Sequence, residues 1–123
     1  MAQRTFSDWL TSYLAFRARA AKLLGQRLPS DLAGLQHESQ ELEPLRWEAE
    51  EAAALAESYY QTAKVAEAER LVAQGFAKGL AWEAAKARCT RELWARLNSV
   101  AVVKTVDSRS MKVAQHLKLL APS

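Results

Sequence analysis

The chain has 123 residues, half of them apolar and a quarter charged, with a net charge of +3. A chain of that length buries roughly two-thirds of its extended surface, so a core forms without a metal or disulfide staple. The single cysteine, Cys89, excludes an intrachain disulfide, and no apolar run reaches the about 18 residues a membrane span needs. The opening MAQRTFSDWL also lacks the apolar run of a signal peptide, so the expectation is one domain, 1–123, in the cytoplasm.

Proline and glycine are scarce, with three and four copies, while alanine, leucine, glutamate, lysine and arginine dominate. These residues lose little on entering a helix, which predicts an all-α fold. Charge runs in blocks: residues 1–29 carry net +4, residues 30–62 net −7 and residues 63–123 net +6.

In chain order, Thr5 and Asp8 spell a capping box before a first helix. Phe6, Trp9, Leu10, Tyr13, Leu14, Ala20, Leu23 and Leu24 recur on one face. Gly25 is the expected stop, in a left-handed conformation. Arg17 interrupts the apolar face, which predicts either snorkelling or a buried pair with a glutamate from 38–57.

Ser30 then reads as the cap of a short second helix carrying Leu32, Leu35 and Leu42, weakened by Gly34. Pro44 suits the first turn of a new helix. From Leu45 to Gln74 there is neither glycine nor proline. Leu45, Ala49, Ala52, Ala56, Tyr59, Ala63, Ala66 and Ala73 make a small-residue seam that admits a close partner helix. Gly75 and Gly79 mark a hinge. The following helix is expected to show Trp82, Ala85, Cys89, Leu93, Leu97, Val100 and Val103 to the core. "SVAVVKTV" is β-branched enough for a strand, but it has no partner strand, so helix is favoured. "VDSRS", with Asp107, Ser108 and Ser110 as caps, predicts a break or kink, before a last helix presenting Met111, Ala114, Leu117 and Leu120.

The architecture expected is an antiparallel helical bundle built on a long hairpin, 44–74 against 80–106. Folding back near residue 77 places Glu48, Glu50, Glu51 and Glu57 beside 97–106, so the acidic block neighbours the basic one.

The stretch "KARCTRELWAR" carries four cations, yet helical spacing scatters Lys86, Arg88, Arg91 and Arg96 around the cylinder. A phosphate-tracking surface gathers its cations on one face. "WEAAKARCTRELWARL" partly resembles the helix-turn-helix of bacterial regulators through Ala84, Ala85, Thr90, Arg91, Leu93, Trp94 and Leu97. It departs from that family at the turn. Ala87, Arg88 and Cys89 stand where an apolar-Gly-apolar turn belongs, with two residues too few, so one unbroken helix is the expectation.

Trp94 lies off the expected core stripe, on a second face with Ala84, Ala87, Asn98, Ala101 and Thr105. A helix with two packable faces is central in its bundle or half-covered by another chain. Arg91, Trp94, Asn98 and Val102 are therefore the partner-binding candidates, because tryptophan and arginine anchor many interfaces. The alternative, nucleic-acid binding, would use Arg88, Arg91, Arg96, Arg109 and Lys112.

Catalytic chemistry finds little footing. His37 and Glu41 share a helix face and His116 is the only other histidine, too few groups for a bundle metal site. No nucleophile–histidine–acid set or glycine-rich phosphate loop is visible, and Cys89 reads as a small hydrophobe. The mixed polar side of the first helix, Asp8, Ser12, Arg19 and Lys22, does not suit a membrane surface. The segments "YYQTAKVAEAERLVAQG" and "SRSMKVAQHLKLL" resemble small all-helical accessory proteins encoded by bacteriophages. That resemblance implies a mobile-element setting, in the cytoplasm of a bacterial host. The reading at this level is a non-enzymatic interaction protein without cofactor or metal. It is expected to self-associate as a homo-oligomer and to bind a macromolecular partner.

Overall fold

The structure, a computed structural model, describes residues 5–120. Four helices follow one another: α1 (Phe6–Leu24), α2 (Leu32–Ala73), α3 (Lys78–Arg88) and α4 (Thr90–Leu120). The expected all-α bundle on a long hairpin is what the chain forms, with 99–106 helical and no strand among the described residues.

The capping box opens α1: Asp8 N–H donates to Thr5 Oγ1 at 3.1 Å, and Thr5 N–H donates to the Asp8 carboxylate at 3.4 Å. Gly25 closes it, but at φ −85° it is right-handed, not left-handed as expected. Its N–H still bonds the Ala21 carbonyl at 2.9 Å, so the last turn is completed without a reversal of the backbone.

The largest departure from expectation is α2. One helix of 42 residues replaces the two that Pro44 was expected to divide, and Asp31, not Ser30, occupies its cap position. Proline deletes one intrahelical bond and crowds the preceding turn. Here Pro44 points outward and Gln40, whose carbonyl loses its partner, is exposed to water. The inward side carries the compensation. Leu35, Glu38, Leu42, Leu45, Ala49, Ala52 and Ala56 step by three and four residues in one uninterrupted seam, all but Leu45 fully buried. Beyond Ala56 the buried line passes to Tyr60, Ala68 and Leu71, leaving Ala66 and Ala73 exposed.

Gly75 alone makes the hinge, at φ +102°, a left-handed conformation that favours glycine. Gly79 lies within α3. The helix expected to be unbroken across Cys89 is interrupted there, at φ −89°, ψ +50°. The interruption is one residue long: Cys89 N–H still reaches the Ala85 carbonyl at 3.1 Å, and Leu93 N–H reaches the Cys89 carbonyl at 2.9 Å. Its effect is a change of phase. α3 buries Ala81 and Ala85, whereas α4 buries Ala95, Ser99, Val106 and Val113. Leu97 and Val100, expected in the core, are exposed for that reason, and Trp82 is exposed because α3 buries its Ala81–Ala85 side instead. The break expected at 107–110 is absent, because the α4 seam continues straight through it. Val113 is buried there, while Met111, Ala114 and Leu120 are exposed and Leu117 is half-buried.

α4 runs antiparallel to α2, as the pairs Arg46–Asp107 and Glu67–Arg88 at opposite ends of the hairpin require. α1 lies in the groove between them. Trp9, Tyr13, Phe16 and Ala20 are buried in a core shared with Leu35, Leu42, Ala49, Val106 and Val113. An aromatic ladder runs along it: Trp9 stacks on Tyr13 at 5.1 Å, and Tyr59 meets the edge of Phe6 at 5.5 Å. α1 does not extend over α3, so the molecule has a three-helix end and a two-helix tip.

Candidate interaction faces

The second face expected on the helix after the hinge exists, and α1 half-covers it. The Tyr13 hydroxyl donates to Asn98 Oδ1. Burial pushes the Tyr13 hydroxyl above its ordinary pKa, with Arg17 opposing, so it is a neutral donor there. Val102 is half-buried against the core, and Arg91 lies over the Phe6 ring at 5.4 Å with Ser7 Oγ 3.4 Å away. Trp94 remains 42 % exposed, its ring in a T-shaped contact with Tyr13 at 6.5 Å. Of the two positions expected for Arg17, it takes the snorkelling one and forms no buried pair with a glutamate. It is exposed, and its guanidinium stands 5.6 Å above the Trp94 ring.

Beyond Trp94 a groove of about 370 Å³ runs between α1 and α4, floored by Ala20, Ala21, Gly25 and Ala101, with Asn98 and Val102 on its wall. Small residues on both sides leave space for the side chains of an incoming helix. Three of the four partner-binding candidates, Trp94, Asn98 and Val102, thus lie at or along this groove, while Arg91 is turned away onto Phe6.

The nucleic-acid candidates are not gathered. Arg88 pairs with Glu67 at 3.1 Å, and Arg96 pairs with Glu57 while covering Tyr60. Arg109 is consumed entirely inside the fold. Its Nε and Nη2 donate to both carboxylate oxygens of Glu38, at 2.6 and 2.8 Å, and its Nη1 donates to the Gln26 carbonyl at 2.7 Å. Arg91 and Lys112 are exposed and without an ion pair among the described residues, and Arg91 lies on Phe6. Of the four glutamates expected beside the basic half, Glu57 pairs with Arg96, whereas Glu48 pairs with Arg19 of α1 and Glu50 with Arg46 of its own helix.

The buried Arg109–Glu38 pair is the feature that residue spacing alone could have revealed. Carried back across Pro44, the three-and-four stepping of α2 puts Glu38 in the seam, and the α4 stepping Ala95, Ser99, Val102, Val106 puts Arg109 in the facing one. Both side chains are close to fully buried, at 10 % and 6 % exposure.

Of the groups with chemical potential, His37 and Glu41 form an exposed pair at 2.9 Å, and His116 Nδ1 lies 2.8 Å from the Lys112 carbonyl. No three histidine, cysteine or acidic side chains converge on a metal-sized space among the described residues. Burial, with Glu92 and Glu67 nearby, pushes the Cys89 thiol above its ordinary pKa, so it packs as a thiol. No described helix is long and apolar enough to cross a membrane. No family model, curated protein or solved structure matches the chain.

Proposed function

We propose that this is a non-enzymatic interaction protein that self-associates and takes a helix of a macromolecular partner in the α1–α4 groove. The observation that carries the reading is Trp94, half-exposed and held by Tyr13 and Arg17 at the head of a small-residue groove. A tryptophan already fixed on one side loses little entropy on binding, which suits it as an anchor. The resemblance to phage-encoded accessory proteins adds a setting to this reading, the cytoplasm of a bacterial host. Nucleic-acid binding through Arg88, Arg91, Arg96, Arg109 and Lys112 is the weaker reading, because three of these five already pair with carboxylates and Arg91 lies on Phe6.

Sedimentation at low and high salt, with and without DNA, tests the reading. The expected result is a mass above the 13.7 kDa monomer that resists salt and ignores DNA. A monomer whose DNA affinity falls steeply with salt would replace it with the nucleic-acid reading. For the groove, Trp94→Ala is expected to cost under ~2 kcal/mol in a urea melt. A loss of ~3–5 kcal/mol, typical of a core tryptophan, would assign Trp94 to the monomer's own core.

A further inference from the structure

At the two-helix tip, a second groove of about 250 Å³ opens along one flank of α2 and α3. Its apolar surface comes from Val65, Val72 and Trp82, which are 39 %, 41 % and 36 % exposed. Lys64 lies 5.7 Å above the Trp82 ring and 5.1 Å above that of Tyr60, which ties Trp82 to its wall. Besides Lys64, which is held over the two rings, the lining carries one charge of each sign, Glu69 from α2 and Lys78 from α3. Neither forms an ion pair among the described residues, although most acidic residues of α2 near the hairpin contact are paired.

We infer that this groove is the contact between two copies of the chain, related by a twofold axis. The inference rests on the self-association proposed above and gives it a place. The argument is the charge arrangement. A twofold contact uses the same patch on both molecules, so the patch must be complementary to itself. An apolar strip with an acid on one rim and a base on the other meets that condition. Rotated by half a turn onto itself, it sets Glu69 of each copy against Lys78 of the other, with Val65, Val72 and Trp82 between. The strip is short against the ~1,200–2,000 Å² that stable complexes bury, so the dimer is a weak one that dissociates on dilution. The Trp94 groove lies on the far side of the Cys89 break, in the three-helix end, and remains open in such a dimer.

Charge exchange tests this without disturbing the fold, because both rim residues are exposed. Glu69→Lys alone and Lys78→Glu alone each place two like-charge pairs in the dimer. Each is expected to weaken self-association about tenfold or more in sedimentation equilibrium. Mixing the two variants is expected to restore a dimer at wild-type strength, since the mixed species has both pairs attractive. Val72→Glu, on the strip itself, is expected to yield a monomer with an unchanged helical circular dichroism spectrum. A wild-type chain that stays monomeric up to high concentration overturns both this inference and the self-association beneath it. A wild-type oligomer unmoved by all three substitutions overturns the inference and leaves the self-association standing. Loss of the dimer in both charge variants with no recovery on mixing rejects the twofold pairing.

Discussion

The three-helix end and the two-helix tip are made of the same helices by different means. At the three-helix end, α1 caps the hairpin, and large side chains fill the space: Leu35, Leu42, Val106, Val113 and the Trp9–Tyr13–Phe16 series. At the tip, Ala68, Ala81 and Ala85 bring α2 and α3 together with little more than Tyr60, Leu71 and Cys89 to bury, and Phe76, Leu80 and Trp82 are left facing water. A helical pair has two flanks, and a third helix can cover only one stretch of them. Where α1 lies, the flank contributes to stability. Where α1 is absent, the same kind of flank is left open to solvent. The difference assigns most of the folding free energy to one end and the open apolar surface to both grooves, at the edges of what α1 covers.

The sharpest way to break this comparison is Arg109→Ala. It strands the buried Glu38 carboxylate and frees the Gln26 and Arg27 carbonyls that Arg109 holds at the α1–α2 connection. Breaking one side of a buried pair costs ~3–5 kcal/mol, and here it also unties the loop that sets α1 in place. Urea unfolding should show that loss. Joint replacement of Glu38 and Arg109 by leucine should recover much of it, because apolar residues fit a seam position. An Arg109→Ala chain as stable as wild type would mean that α1 docks by its aromatic face alone.

How much of this was legible in the sequence follows from what the periods could carry. The start of α1, its capping box and the alanine seam were readable because local spacing and tertiary contact agree there. The continuity of α2 was not, since Pro44 is a local stop signal and what overrides it is the distant seam partner on α4. Cys89 misled in the opposite direction: with no glycine or proline there, only the partial helix-turn-helix resemblance put a turn at 87–89, and its missing glycine argued against it. That one-residue change of phase moved Leu97 and Val100 out to solvent and Val106 and Val113 in. Phase errors of this kind leave a helix correctly assigned and its face wrong, which is why the fold was readable and the candidate face only in part. Trp94, Asn98 and Val102 fall at or along the groove, whereas Arg91 does not.

A second comparison sets two equally buried leucines against each other. Leu35 and Leu71 are both wholly inaccessible. Leu35→Ala opens a cavity within three packed helices and should cost about 4–5 kcal/mol, while Leu71→Ala, in a two-helix tip free to collapse, should cost about 2–3 kcal/mol. Equal losses in paired urea melts would mean that the tip is packed as rigidly as the core.

Glycine substitutions separate the two ends in sign. At Gly34 an added Cβ would lie 2.8 Å from the Pro29 Cβ, so the α1–α2 connection must shift, at ~1–3 kcal/mol for Gly34→Ala. At Gly79, within α3, the same atom meets nothing within 4 Å. Gly79→Ala should therefore stabilise by ~0.5–1 kcal/mol through helix propensity. Thermal melts of the two variants should move in opposite directions.

The smallest effect belongs to acid. Glu67 accepts hydrogen bonds from Arg70 and, across the tip, from Arg88. The Arg70 hydrogen bond chiefly, with that of Arg88, holds the Glu67 carboxyl down to about 2 from its ordinary 4.5. A carboxyl whose pKa is lower folded than unfolded binds its proton more tightly in the unfolded chain. Its contribution is therefore fully present above about 4.5 and is lost as pH falls through about 2. Glu67 joins α2 to α3 and touches nothing of α1, so the loss should be local. Amide hydrogen exchange should show α3 loosening toward acid before α1 does, and Glu67→Gln should show that loosening already near neutral pH. Both arginines are exposed and Glu67 is half-buried, so added salt should reduce the difference between variant and wild type. Exchange in α3 that tracks α1 across the whole acid range would show that the tip and the three-helix end open as one unit.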